Sequence, residues 1–181
     1  MAESERQADG GEAGDHAERR VAIREAVAED VPGLLGLVRE LAEYERLEDQ
    51  LRASETQLRD GLFGARPAAE ALIAELGGEL AGYALFFPTF SSFLASEGIW
   101  LEDLFVRPSH RRAGVGRALL AAVAARVRER GGERLEWAAL DWNELALGFY
   151  RGIGARQMNE WITHRLVGQS LASLADDAGG G

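Results

Sequence analysis

The chain contains no cysteine among its 181 residues. Disulfides, zinc sites with cysteine ligands and any mechanism that parks an acyl group on a protein thiolate are therefore excluded. Lysine is absent as well, so the twenty positive charges are all arginine, and neither a Walker phosphate loop nor a lysine Schiff base is available. Positive charge is also outnumbered: thirty acidic residues leave a formal net charge of -10. That balance argues against a general nucleic-acid binder, which needs a basic face to neutralise phosphates, and suits a cationic partner. No apolar run approaches the roughly 18 residues of a membrane span, and residues 1–20 lack the apolar centre of a signal peptide. A soluble, cytoplasmic protein with no membrane partner is expected.

Hydrophobic residues make up 46% of the chain, enough for one well-buried core. Residues 1–19, "MAESERQADGGEAGDHAER", are polar, acidic and without apolar periodicity, and read as a disordered tail. The folded part is expected over 20–168, with a short helix and flexible tail over 169–181.

"VAIREA" from Val21 reads as a first strand, followed by a helix capped by Asp30 with Pro32 in its first turn. The apolar stripe of that helix is Leu34, Leu37, Val38, Leu41 and Tyr44, and the same row extended by one turn lands on Glu45. A carboxylate on a core-facing row is unusual unless the helix has already ended. Ser54 and Gln57 have capping-box spacing ahead of a second, short helix. "EALIAEL" and "ELAGYALFFPTF" around Gly77-Gly78 predict a hairpin, and Gly98 to Val106 a further strand. A helix from Gly114 to about Arg130, a strand in "ERLEWAALD", a short helix in "NELALGFYRGIG" and a last strand in "NEWITHRLVG" complete the pattern. The order implies an α/β fold, a mixed sheet flanked by helices.

Strict alternation along the strand to Val106 places Trp100, Glu102, Leu104 and Val106 on one face and Ile99, Leu101, Asp103 and Phe105 on the other. Each face then carries one acid among apolar groups, which is costly without a partner. Immediately downstream lies "HRRAGVGRALL", a basic, glycine-broken turn between this strand and an apolar helix. A helix N-terminus offers unpaired N–H groups and a partial positive charge, and glycine lets a large anion reach the backbone. An arginine followed by two spaced glycines is a weak signal by itself.

Taken together, "WLEDLFVRPSHRRAGVG" and "ALDWNELALGFYRGIGA", with "ELAEYERLEDQ" upstream, resemble the GNAT superfamily of N-acetyltransferases, and within it the spermidine/spermine (diamine) acetyltransferases. The resemblance covers Val21 to Val167 and implies the GNAT fold, a mixed, mostly antiparallel central sheet flanked by helices. It also implies acetyl-CoA as the donor, no metal, and a homodimer. The pyrophosphate would sit on the backbone N–H groups of Arg112, Ala113, Gly114, Val115, Gly116 and Arg117, with Arg111 matching the family's leading arginine in the cofactor site, and the pantetheine arm would run along the backbone of Leu104, Phe105 and Val106. Asn143 matches an asparagine that helps hold the cofactor, and can equally cap its helix. Tyr150 matches the tyrosine beside the cofactor sulfur, and Glu102 the glutamate that relays a proton from the amine. Tyr44, Glu45, Glu102, Asp103 and Glu160 would form an acidic funnel for a small cationic amine.

Arg112 stands where the family often has glycine, and Leu145-Ala146 where it has Pro-Ser. The implied reaction is direct acetyl transfer to a diamine-like primary amine in a ternary complex. Alternative acceptors are an amino acid such as a lysine analogue, an aminoglycoside or a protein amine. The rival from another class is a non-catalytic acyl-CoA-binding regulatory module.

Overall fold

The computed structural model describes residues 20–178. The tail expected over 1–19 and the last three glycines lie outside the described residues. The chain divides into two compact units, Met1–Ala138 and Ala139–Gly181.

The first unit holds a five-stranded sheet in the order β1-β2-β3-β4-β5, with β1 Val21–Glu25, β2 Glu70–Leu76, β3 Glu79–Ser91, β4 Ser96–Val106 and β5 Arg134–Glu136. The first four strands pair antiparallel; β5 runs parallel to β4. Three helices accompany them: α1 Val31–Glu45, α2 Glu55–Phe63 and α3 Val115–Glu129. This is the mixed, mostly antiparallel sheet flanked by helices that the sequence implies.

Helix α1 follows its predicted stripe. Leu34 and Leu37 are fully buried in a cluster with Leu62 of α2, Ile73 of β2, Tyr83 of β3 and Phe105 of β4, and Val38, Leu41 and Tyr44 pack against that cluster. Val31 and Leu35, outside the predicted row, are buried too. The Asp30 side chain does not cap α1. It accepts instead from the Val27 amide at 2.8 Å and pairs with Arg24 at 2.6 Å, because a nearby guanidinium offers a carboxylate a charge-assisted bond. The capping box of α2 forms as expected: the Gln57 amide donates to Ser54 Oγ at 3.3 Å, and the Ser54 amide donates to Gln57 Oε1 at 3.0 Å.

Helix α3 buries Val115, Leu119, Leu120, Val123 and Val127. Between β3 and β4 the backbones approach closely at Gly82, where an added Cβ would lie 2.3 Å from the Phe105 carbonyl oxygen. Only glycine fits there. Arg107, just past β4, then fastens α1 to the sheet. It donates to both Glu40 oxygens, with its shortest contact at 2.7 Å, and to the Leu80 carbonyl, also at 2.7 Å.

The predicted strand in "ERLEWAALD" shrinks to Arg134–Glu136, since its pairing with β4 ends at Trp100–Glu136. The second unit contains α4 Glu144–Gly152 and α5 Gly168–Asp177. The strand expected in "NEWITHRLVG" is not formed, and Trp161 and Ile162 are exposed. A strand exists only as part of a ladder, and no other strand is described within this unit.

Substituting Gly82→Ala is expected to lower stability by about 1 to 3 kcal/mol, the usual cost of forcing extra volume into a packed site. A lower urea midpoint with an unchanged m-value would show it.

Candidate active site

The geometry of the site begins with one irregularity in β4. Leu85 of β3 pairs with Asp103, but its neighbour Phe86 pairs with Leu101, so Glu102 is the extra residue of a β-bulge. Opposed residues share a face of the sheet. Asp103 and Phe105 therefore lie on the face of Leu85 and Tyr83, whereas Leu101 and Ile99 share the opposite face with Phe86 and Pro88. The uniform alternation expected from sequence is corrected here: the bulge exchanges the two faces between Leu101 and Asp103.

The exchange carries Asp103 to the side covered by α1. Tyr83, with no exposed surface, donates its hydroxyl to Asp103 Oδ2 at 2.9 Å. Burial is the main force on the Asp103 carboxyl and pushes its pKa up to about 6. The Tyr83 hydrogen bond opposes that rise, while the negative charges of Glu102 and Glu45 add to it. Burial likewise holds the Tyr83 phenol well above its ordinary range, with Asp103 reinforcing the shift, so Tyr83 remains a donor.

Glu45 is the last residue of α1 and is half-buried, which raises its pKa. The acid on the apolar stripe is thus inside the helix, and its negative charge helps raise the pKa of Asp103. Glu102 is exposed, and its Oε2 accepts from Trp100 Nε1 at 2.9 Å. Tyr83 and Trp100 were not singled out by sequence reasoning. Their spacing on strands marks them only as aromatic strand residues, and no local pattern announces their polar partners.

On the donor side, α3 begins at Val115 and its N-cap is Gly114, at φ 83°, with no side chain accepting from the first amides. Arg112, at φ 66°, also adopts the left-handed conformation. Arg112 and Arg117 are exposed; Val115 is buried, so it can offer only its backbone to a ligand. Arg111 is turned inward. Its Nε donates to the Val106 carbonyl at 3.1 Å, and its guanidinium stacks 4.7 Å from the centre of the Tyr44 ring. Beyond Trp100, β4 has no parallel partner in β5, so the side of Leu104, Phe105 and Val106 away from β3 is not covered by a strand among the described residues.

The remaining predicted residues belong to the second unit. Asn143 caps α4, accepting from the Ala146 amide at 3.2 Å, so its capping reading is realised. Tyr150 lies on the same helix, its ring centroid 5.4 Å from that of Phe149. Glu160 is exposed and lies beyond α4 in a turn.

A family model described as "Acetyltransferase (GNAT) family" matches residues 36–155, a span that includes β4, the glycine turn, α3 and α4. The chain belongs to the GNAT acetyltransferase family. It is 37% identical over 166 residues to a thialysine N-epsilon-acetyltransferase of Bos taurus, covering 86% of this chain and 97% of that protein. It is also 32% identical to an L-ornithine N5-acetyltransferase of Arabidopsis thaliana, over 84% of this chain and 86% of the relative. Among solved structures, an integron cassette protein from the mobile metagenome of V. cholerae superposes with a TM-score of 0.73 at 29% identity, over 86% of this chain and 97% of the other.

This GNAT protein is therefore an acetyl-CoA-dependent N-acetyltransferase acting on an amine. The donor side suits that cofactor. A helix N-terminus with no side-chain cap, two left-handed backbone positions and two exposed arginines suit a pyrophosphate. Beyond Trp100 the β4 backbone is not paired with β5, which suits pairing with an extended arm. Among the described residues, no group of three or more histidine, aspartate or glutamate side chains is placed to hold a metal ion. No described helix is long and apolar enough to cross a membrane.

Burial of Asp103 has a consequence for stability. Because the folded protein holds this proton more tightly than the unfolded chain, stability falls as pH rises from about 4 through about 6, then levels off. Asp103→Asn has no charge to bury and keeps an acceptor for Tyr83. Its stability relative to the parent is expected to improve by up to about 3 kcal/mol between pH 4 and pH 8. Urea titrations across that range would measure the change, and a flat difference would place Asp103 in solvent.

Proposed function

We propose that the protein transfers acetyl to the side-chain amine of a small basic amino acid, a lysine analogue or ornithine, by direct attack in a ternary complex. The observation that carries the acceptor's charge is the electrostatic meeting of Glu45, Glu102 and Asp103, from the end of α1 and the bulge of β4. Such a cluster favours a cation and raises its local concentration. The choice of an amino acid rests on the relatives named for thialysine and ornithine. The diamine acceptor implied by the sequence motifs is the second reading, supported by the same three carboxylates, which suit a multiply charged cation.

In this reading Arg112, Gly114, Gly116 and Arg117 hold the donor's phosphates, with Ala113 and Val115 contributing backbone N–H groups. Bound there, acetyl-CoA supplies an activated acyl thioester. Arg111 braces the turn from within. Leu104, Phe105 and Val106 present backbone groups to the pantetheine arm, and Asn143 adds a contact from the start of α4. Tyr44 and Glu45 receive the acceptor from α1, Asp103 receives its cationic end, and Glu160 contributes a further acid.

An alkyl ammonium, with a pKa near 10.4, must lose a proton before it can attack. Glu102, exposed and oriented by Trp100, takes that proton through water. The new bond joins nitrogen to the acyl carbon as the carbon–sulfur bond breaks, and the Tyr150 phenol gives its proton to the departing sulfur. The chain contains no cysteine to carry the acyl group between two half-reactions, which supports the direct route.

Acceptor identity is read by a panel of L-ornithine, L-lysine, thialysine, putrescine and spermidine with acetyl-CoA. The amino acids should give the higher kcat/KM; a reversal in favour of the polyamines would establish the second reading. Tyr150→Phe should lower kcat on the order of 10²-fold with little change in the KM for acetyl-CoA. An unchanged kcat would remove Tyr150 from the mechanism. Glu102→Gln should lose rate most at neutral pH and recover part of it as free amine becomes abundant at high pH. A loss independent of pH would count against the proton relay.

A further inference from the structure

Tyr83 occupies a position that an apolar ring would fill. It has no exposed surface and sits in the cluster of Leu34, Leu37, Ile73 and Phe105. Phenylalanine has nearly the same volume and no hydroxyl to satisfy. A buried hydroxyl without a partner is costly, and here it is aimed at a carboxylate that is itself costly to bury. Two polar groups paired inside a core often contribute no net stability over an apolar pair of the same shape. The hydroxyl therefore calls for a role other than packing.

The geometry supplies one. Tyr83 is on β3 and Asp103 on β4, bonded at 2.9 Å across the two strands just past the bulge. The groups that face Asp103 are Glu45 from α1, Glu102 from its own strand and Tyr83 from β3. Leu37 and Leu34 of α1 and Leu62 of α2 complete the apolar cluster around Tyr83. Every charge acting on Asp103 in this set is negative, and Tyr83 is the one group in it that favours the ionised carboxylate.

We propose that Tyr83 is a positioning residue for the acceptor: by holding Oδ2 of Asp103 it keeps the carboxylate ionised and oriented, leaving Oδ1 for the cationic end of the amine. This inference rests on the reading of Asp103 as part of the acceptor site. Its consequence is a pH dependence of amine binding. The amine remains a cation between pH 5 and pH 8, so over that range binding follows the ionisation of Asp103 and tightens as pH rises through about 6.

The test is calorimetric titration of the full-length protein with L-ornithine, and separately with putrescine, in the presence of free coenzyme A so that no turnover occurs. Parent, Tyr83→Phe and Asp103→Asn are compared from pH 5 to pH 8. Removing the phenol withdraws the hydrogen bond that lowers the Asp103 pKa. In Tyr83→Phe the inflection should therefore move up by about one pH unit, and the amine Kd at pH 7 should weaken roughly 3- to 10-fold. Coenzyme A affinity and the thermal midpoint should change little, which a merely structural role would not predict. In Asp103→Asn the inflection near pH 6 should vanish and amine affinity should fall.

If Asp103→Asn behaves in this way while Tyr83→Phe binds as the parent does at every pH, the role of Tyr83 is overturned and the acceptor reading stands. If Asp103→Asn keeps both the inflection and the affinity, or neither amine binds the parent, the acceptor reading fails and the role of Tyr83 with it.

Discussion

One unpaired residue in a central strand governs the placement of the acidic groups. Because β4 carries Glu102 as an extra residue opposite β3, the side chains before and after it change faces. Were Glu102 paired in an unbroken ladder, Asp103 would share the face of Leu101, the other side of the sheet from Tyr83 and α1. Glu102 itself, outside the ladder, is exposed and free to be oriented by Trp100. The same stretch of β4 has parted from β5, whose pairing stops at Trp100. The two carboxylates of the bulge and the end of the β5 pairing thus fall within one short stretch of β4. Gly82 and Arg107 keep it in register: the first permits the close approach of β3, and the second fixes α1 to the strand's end through Glu40 and Leu80.

Energetics explain why the disturbance is surrounded by a dense apolar cluster. A carboxylate pushed up to about pKa 6 is destabilising at neutral pH, and the half-buried Glu45 adds repulsion. Leu34, Leu37, Leu62, Ile73 and Phe105 offset these costs by burial around Tyr83. Sites that must present charge to a ligand commonly conflict with stability in this manner. Here the conflict is confined to one end of α1 and two strand positions. In the proposed reading those positions receive the cation, while the rest of the helix builds the core.

Several features of this arrangement were legible in the sequence because they are local. The stripe from Leu34 to Tyr44 follows helical spacing, and Glu45 stood out by breaking it. Ser54 and Gln57 lie three residues apart, Gly77-Gly78 joins two strand-like runs, and the glycines after Arg111 mark a helix start. What escaped depends on partners distant in sequence. A bulge is invisible to counting by twos, since that count assumes an unbroken pleat; it puts Asp103 on the face of Leu101, whereas the bulge separates the two. Asp30 has the residue type of a helix cap, but Arg24 and the Val27 amide compete for it. The run from Asn159 to Val167 has strand-like composition and still forms no strand, because composition does not provide the neighbouring ladder. Tyr83 looked like any aromatic in a hairpin, since its hydroxyl's partner is twenty residues away.

The all-arginine composition takes on a physical meaning at the turn before α3. Of the basic run that opens there, Arg111 faces inward, donating to the Val106 carbonyl and stacking on Tyr44, while Arg112 and Arg117 face solvent. A planar guanidinium can hydrogen-bond through its edge and stack through its face at the same time; an ammonium cannot do both. Arg111 therefore links the end of β4 to α1. Tyr44 precedes Glu45, and Val106 lies three residues beyond Asp103, so the stack ties together the two segments that carry these carboxylates. An anion bound at the start of α3 by backbone amides and the two exposed arginines would not require Arg111 to leave Tyr44.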